Sequence, residues 1–475
     1  MSEYDAVIIG SGPNGFSAGI TLAKAGLSVL ILEGRETPGG GVRTKDIFSI
    51  GTKHDICSAV HPLGIASPAF HRWNLEQYGL EWIRPEIQLA HPFEDGSAAV
   101  VSSDWDETVH SLGEGGEQYR QLLEPLSENW KDIKSDLLGP LGVPKQPIKF
   151  ARFGLFAAQS AAGFAKRHLK GMAVKSMFLG IAAHSPSPLN KIFTNGPGLV
   201  LALAAHGEGW PIPRGGAESI IHALEKYFLE LGGDVRCDSP VDSWDDIPDT
   251  EAVLFDTDVR QISRIAGDRL PRLYKRQLGN FRYGPGVFKV DYVLDSPIPF
   301  PNELCRKAGT IHLAGHYSNM IKESIELSEG KAPVLPYTLL SQPTQFDSTR
   351  AAEGMHIAWA YCHVPHGSAI DMTDRIESQI ERFAPGFRDH IIQRRTISAP
   401  QMEAYNPNYI GGNITGGIQD WKQTFTRPAW RPDPYKTPAE GMYICSASTP
   451  PGAGVHGMCG YHAARSALKN SFGLD

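Results

Sequence analysis

Ala6-Val-Ile-Ile-Gly10-Ser-Gly12-Pro13-Asn14-Gly15 decides the fold, together with the helical run Ala18–Ala25 and the apolar run Leu27–Leu32 that stops at Glu33. Ala6–Ile9 is short and apolar throughout, the pattern of a strand buried on both faces of a parallel sheet. Strand, glycine turn, helix, strand and acid at this spacing make a βαβ unit for a dinucleotide. Gly10 permits the tight turn, Gly12 lets a diphosphate approach the backbone, and Gly15 lets the helix pack on the strand. The helix N-terminus, beside Pro13 and Asn14, offers unpaired N–H groups and a positive dipole end to phosphates. Glu33 is placed to accept from ribose hydroxyls and disfavours a 2′-phosphate; Gly34 and Arg35 follow it. A plain tight turn in an α/β protein would not require that acid.

The totals narrow the class. A chain of 475 residues exceeds one usual hydrophobic core, so two lobes are expected. Net charge is −7, with no basic tail, which makes nucleic acid a poor partner. Its 50 glycines cluster at 10–15, 39–41, 411–417 and 451–460, as expected where backbone approaches a ligand. Six scattered cysteines without a Cys-x-x-Cys pair argue against a redox disulfide, a metal site or a disulfide framework. Free thiols suit a reducing, cytoplasmic setting. No signal peptide is evident, and no apolar run reaches the roughly 18 residues needed to span a bilayer. A soluble or peripheral protein is expected.

Two further stretches bear on which dinucleotide binds. Gly39-Gly40-Gly41-Val42-Arg43 follows the second strand. Near the other end, Gly441–Ser448 reads as a last strand. It runs into Thr449-Pro-Pro-Gly-Ala-Gly454-Val455-His456-Gly457-Met458 and then a helix over Ala463–Leu468. These passages, with Gly10/Gly12/Gly15, Glu33 and Pro213-Arg-Gly-Gly216, resemble bacterial phytoene-desaturase-type flavoproteins. The subgroup is similar to pyridine nucleotide-disulfide oxidoreductase domain-containing protein 2. Tyr283–Asp291, Glu381–Arg388 and Asn406-Pro-Asn-Tyr409 are typical of it.

The resemblance implies an α/β glutathione-reductase-like FAD-binding Rossmann fold, with a second lobe of mixed sheet plus helices for the substrate. It implies FAD as cofactor. Gly40, Gly41, Val42 and Arg43 would wrap the pyrophosphate, Arg43 neutralising it or orienting the flavin. Val241 would meet the adenine, and Asp256 would end a strand beside the cofactor. Ser448, Gly454, Val455, His456, Gly457 and Met458 would close the site, with the helix start near Gly457–Met458 aiming N–H groups at the flavin pyrimidine edge. The pattern usually carries a longer β-meander between Val241 and Ala252, so one edge of this lobe is expected to be trimmed. A second glycine-turn unit for NAD(P)H is missing.

The FAD lobe is thus expected at 1–105, 205–265 and 435–475, a helical cap at 106–204 and a substrate domain at 266–434. From Leu137 to Gly207 there is no acid, but Lys145, Lys149, Arg152, Lys166, Arg167, Lys170, Lys175 and Lys191 fall there beside apolar runs at Phe153–Ala158 and Met177–Ala183. Peripheral membrane contact through 145–185 is one reading, and a cap packed on its own protein with solvated lysines is the other. A homo-oligomer stays open.

For chemistry, Lys289 lies on the alternating strand Val287–Val293 and resembles a lysine that flavin amine oxidases place near the flavin through a water; pairing with Asp291 is the bland alternative. His456 is a second catalytic candidate, or a space-filling turn residue. His54, Asp55 and His61 could line the site or be structural, and Asn406, Asn408 and Asn413 are turn formers first. The expected activity is FAD-dependent removal of a hydride equivalent from a mostly apolar small molecule, reoxidised by oxygen or a quinone. A flavin amine oxidase and an FAD-retaining regulatory or binding protein are the alternatives.

Overall fold

Five short strands meet in one sheet in the computed structural model, which describes residues 3–474. With the strands of a second sheet numbered in the same chain order, they are β1 (Ala6–Ile9), β2 (Val29–Leu32), β5 (Asp234–Arg236), β6 (Ala252–Phe255) and β12 (Met442–Ile444). The order is β12-β6-β1-β2-β5 and every pair is parallel. Ala6 stands opposite Val29 on one side and Ala252 on the other. Chain order reverses about β1, which opens a crevice at the strands' carboxyl ends.

Three helices cover one face: α1 (Pro13–Ala23), α5 (Glu218–Glu230) and α6 (Met458–Asn470). Phe16, Ile20, Phe228, Ala463 and Ala467 share the core between them and the sheet. α1 and α6 lie so close that a Cβ on Gly460 would stand 1.8 Å from the Asn14 carbonyl oxygen. Between β5 and β6 only a 3-10 turn, Trp244–Asp246, intervenes. The lobe is trimmed there.

The second sheet has β3 (Ile87–Pro92), β4 (Ala98–Ser102), β7 (Gly286–Leu294), β8 (Ala308–Leu313), β9 (Thr338–Ser341), β10 (His356–Val364) and β11 (Ile391–Ile397), in the order β11-β7-β10-β9-β8-β3-β4. All its pairs are antiparallel except β8 with β3. Residues 87–102 therefore belong to this sheet and not to the first lobe, where they were expected. β3 is buried along its whole length and needs the partner on each side that the second sheet supplies.

Helices fill 105–207, among them α2 (Pro147–Ala157), α3 (Met172–Ala182) and α4 (Asn195–Gly207). Met177, Phe178, Leu179 and Ile181 of α3 are fully buried, so the run Met177–Ala183 is core and offers nothing to a membrane. The exposed apolar side chains cluster instead just before and along α2: Leu141, Val143, Ile148 and Leu155. Among the described residues no helix is long and apolar enough to cross a membrane. The lobes are tied by Arg350, fully buried, whose Nη2 donates to Asp55 at 2.7 Å and whose Nε donates to the Lys53 carbonyl at 3.0 Å.

Candidate functional site

A cavity of about 830 Å³ occupies the crevice and runs on beneath the second sheet. Its first half is mostly backbone. Gly10, Gly12, Pro13, Asn14, Glu33, Gly34, Arg35, Gly40, Gly41, Val42, Arg43, Val241, Asp256, Ser448, Gly454 and Val455 all line it. The glycines are required by close approach. A Cβ on Gly12 would stand 2.7 Å from Asp256 Oδ2, one on Gly40 would stand 3.1 Å from Gly12 Cα, and one on Gly15 would stand 2.0 Å from the Gly10 carbonyl oxygen. Gly15 itself does not line the cavity; it seats the helix on the turn. Asn14 Oδ1 and Thr257 Oγ1 are buried at this wall without partners. A glycine cradle at a helix N-terminus with unsatisfied polar atoms fits a dinucleotide.

Charged groups here organise the cradle. Glu33 Oε2 accepts from the Ser11 amide at 3.1 Å and from Ser11 Oγ at 2.5 Å, and Oε1 accepts from the Arg35 amide at 3.0 Å. The acid thereby holds the glycine turn as well as facing the cavity. Arg43 lines the cavity and also binds its own loop. Its guanidinium donates to the carbonyls of Thr37, at 2.6 and 3.2 Å, and Gly40, at 3.0 Å, and lies 3.3 Å from Glu33. These bonds pin the Gly39–Arg43 turn, and the residue is still part of the cavity wall. Asp256 accepts from the Gly15 amide at 2.9 Å, and burial, with Glu33 nearby, pushes its carboxyl well above the usual range. It caps the first turn of α1.

The far end of the chain contributes less than expected. Ser448, Gly454 and Val455 reach the cavity, but His456, Gly457 and Met458 do not. His456 is fully buried, its Nδ1 accepts from the Met458 amide at 3.0 Å, and burial lowers the ring to about 4. Gly457, at φ 67°, turns the chain into α6 and folds the imidazole back over the helix start. His456 is a helix cap, and it takes the donor expected at the flavin edge.

The second half of the cavity is a chamber of side chains that the sequence did not reveal. Leu63, Leu201, Trp210, Leu339, Trp359 and Tyr361 line it. They come from both sheets' surroundings and carry no common motif; Trp359-x-Tyr361 on β10 was the one period-2 signal available. Trp359 and Tyr361 are nearly parallel, their ring centres 5.8 Å apart with 10° between planes. The carboxylates lining the cavity (Glu33, Asp242, Asp256 and Asp258) all sit at the nucleotide end.

Lys289 is the lysine of the cavity wall and is 2% exposed. Its Nζ donates to both carboxylate oxygens of Asp291 at 2.5 Å, and His54 Nδ1 is 3.5 Å from the same acid. The pairing with Asp291 is present, and it is made at the cavity wall. His61 lines the cavity with its ring lowered to about 4 by burial, whereas His54 and Asp55 lie behind it. Asn406 and Asn408 line the cavity, and Asn408 Oδ1 accepts from the Asp258 amide and Gln261 Nε2, both at 2.7 Å. Asn413 holds its own loop through the Gly417 amide at 3.0 Å.

A dinucleotide cradle opening into an apolar chamber defines the class: an oxidoreductase that brings a bound redox nucleotide against a small molecule. A family described as NAD(P)-binding Rossmann-like domain matches residues 8–73. The chain is 22% identical to pyridine nucleotide-disulfide oxidoreductase domain-containing protein 2 of Mus musculus, covering 97% of this chain and 93% of that one. It is 25% identical to the lycopene-forming phytoene desaturase of Pantoea ananas, covering 97% and 98%. Among solved structures, an oxidoreductase from Methanosarcina mazei aligns with a TM-score of 0.63 at 15% identity, over 98% of this chain and 99% of that one. Putrescine oxidase bound to putrescine gives 0.61 at 15% identity, over 98% of each. At such identities the solved structures speak for the fold alone. The chain is an FAD-dependent oxidoreductase, similar over its whole length to phytoene desaturases.

Proposed function

We propose that this protein removes a hydride equivalent from a mostly apolar small molecule, as a dehydrogenase, desaturase or oxidase, with oxygen or a quinone taking the electrons. The observation that carries the reading is the chamber: leucines, tryptophans and a tyrosine without a carboxylate, continuous with the cofactor cradle. Such a wall binds by burial and cannot hold a charged ammonium head through an ion pair. When bound, FAD accepts the hydride. The protein's own part is to hold the cofactor by Gly10–Gly15, Glu33, Gly40–Val42, Val241, Ser448 and Val455, to exclude water, and to place the substrate C–H beside the flavin. Lys289, neutralised by Asp291, sets a proton-bearing group at the chamber wall without leaving a free charge there. An external acceptor fits the described residues, whose second sheet is mixed and has no glycine-turn unit for NAD(P)H.

The exposed aliphatic side chains of 141–155 support a peripheral membrane contact as the route by which an oily substrate arrives. Val143, Ile148 and Leu155 are 93%, 88% and 75% exposed, with Lys145 and Arg152 exposed beside them. Amine oxidation is the second reading, favoured by the near-parallel Trp359 and Tyr361 with Lys289 nearby. Purified protein should be yellow and should release FAD on denaturation. Polyenes and saturated ring compounds should bleach the flavin anaerobically, and amines should not. Bleaching by amines alone would replace the first reading with the second. A colourless protein that resists reconstitution would favour a binding role.

A further inference from the structure

Among the described residues the buried Lys and Arg side chains are Arg43, Lys289, Arg350 and Arg427. The first three each stand against a carboxylate: Glu33, Asp291 and Asp55 in turn. Arg427 pairs with no carboxylate among the described residues. Its hydrogen bonds go to backbone. Nε donates to the Ser448 carbonyl at 3.2 Å, and Nη2 donates to the carbonyls of Gly416 and Ala447, both at 2.8 Å. Nη1 stands 2.9 Å from the place a Cβ on Gly452 would take.

Nothing around it offsets the charge. Cys459 of α6 is the nearest acid, but burial pushes its thiol up to about 11, so it is neutral near pH 7. Burial pushes the Tyr435 hydroxyl well above its ordinary value, and it donates to the Pro450 carbonyl at 3.0 Å. Asp433, beyond Tyr435, accepts from Ser466 Oγ and from the Tyr435 amide. His456 and His462 are each lowered to about 4 by burial. Arg427 is lowered only to about 10 and stays a cation. Burying an unpaired charge is expensive, and carbonyls also accept from neutral amide side chains, so pinning loops does not by itself call for a charge.

The place of the charge is what matters. Gly416, Ala447, Ser448 and Gly454 line the cavity, and Arg427 itself does not. A Cβ on Gly454 would stand 2.9 Å from Cδ1 of Leu63, a chamber residue. Arg427 therefore lies behind the seam between cradle and chamber, away from the phosphate turn at Gly10–Gly15. A flavin ring held by that cradle must lie at this seam to meet a substrate in the chamber.

We infer that Arg427 is a fixed positive charge that raises the reduction potential of the flavin by favouring its reduced, anionic ring. The inference rests on the hydride-removal reading above. Reduction brings two electrons and one proton to the ring, forms one N–H bond and leaves one negative charge there. A cation in a dry wall acts beyond contact distance and is in place before that charge arrives. Arg427 acts through the peptide groups of Gly416, Ala447 and Ser448, so it is a positioning residue.

Redox titration of the FAD-loaded protein with dithionite, against a dye of known potential, tests this without any substrate. Arg427→Gln should lower the ratio of reduced to oxidised flavin at a fixed potential about 10-fold, a shift of about 30 mV for two electrons. Arg427→Lys keeps the charge and gives up the fork, and it should hold the ratio within about 2-fold. An unmoved ratio in Arg427→Gln overturns the inference. So does an equal fall in Arg427→Lys, which would make the side chain a loop pin alone. If Arg427→Gln does not fold, the unmodified protein decides. Its potential should change from two protons to one proton per electron pair at a lower pH than that of free FAD. A change at the same pH as free FAD, or higher, overturns the inference. If no compound bleaches the flavin, the hydride reading fails, while the titration still decides Arg427.

Discussion

The two halves of one cavity are made by opposite means. The cofactor half is backbone: glycines at 10, 12, 34, 40, 41 and 454 leave main chain bare along the cavity, and most of them fall within the first 41 residues. The chamber is side chains drawn from Leu63, His184, Leu201, Trp210, Lys289, Leu339, Trp359 and Tyr361, from both sides of the central segment. A site made of backbone must spend glycines in fixed order and so leaves a readable trace. A site made of side chains is defined by the folded positions of separate elements, and any apolar residue on those elements looks like core.

The most severe way to break the comparison is at Gly460. Gly460→Val would drive a side chain onto the Asn14 carbonyl, and we expect about 3 kcal/mol lost in denaturant unfolding together with the bound flavin. A variant that kept its yellow colour and its midpoint would show that the two chain ends do not share one site. Trp359→Ala acts on the other half alone. The flavin should remain, while half-saturation by an apolar substrate rises about 30-fold, equivalent to about 2 kcal/mol of lost burial. Loss of flavin in that variant would mean that the halves are not separable.

Asp256 sharpens the cofactor half through pH. Its folded pKa is raised by burial, so the native state binds more protons than the unfolded chain. Its contribution is therefore present at low pH and is lost as pH rises from the ordinary carboxylate range through the raised value. Asp256→Asn keeps an acceptor for the Gly15 amide and removes the slope. The variant should gain in thermal midpoint over the parent as pH rises above the ordinary carboxylate range of about 4. Parallel curves would mean that the carboxylate stays charged. The smallest effect on stability lies outside the cavity: Leu155→Asp should shift unfolding by less than about 0.5 kcal/mol. It should still weaken sedimentation with anionic vesicles, and unchanged sedimentation would remove 141–155 as the membrane face.

What the sequence made legible follows the same division. Ala6–Ile9 and Ala252–Phe255 were visible as continuous apolar runs because parallel strands are buried on both faces. Glu33 was visible from its place at the end of β2. The role of His456 was not, because it depends on the positive φ of Gly457 and on where the ring then turns. The move of 87–102 into the second sheet was hidden too, since its partner β8 lies more than 200 residues later. For α3 a signal existed: Met177–Ala183 is apolar around the whole helix, which indicates a buried element and not a surface one.

The fit of Gly460 against Asn14 sets the order of events during synthesis. The glycine turn is translated long before the helix Met458–Asn470 that seats it. Until then Phe16 and Ile20 lack the alanine face of α6, and the turn has no finished pocket in which to hold a nucleotide. The nucleotide cradle is therefore complete only once the last helix has docked on the first.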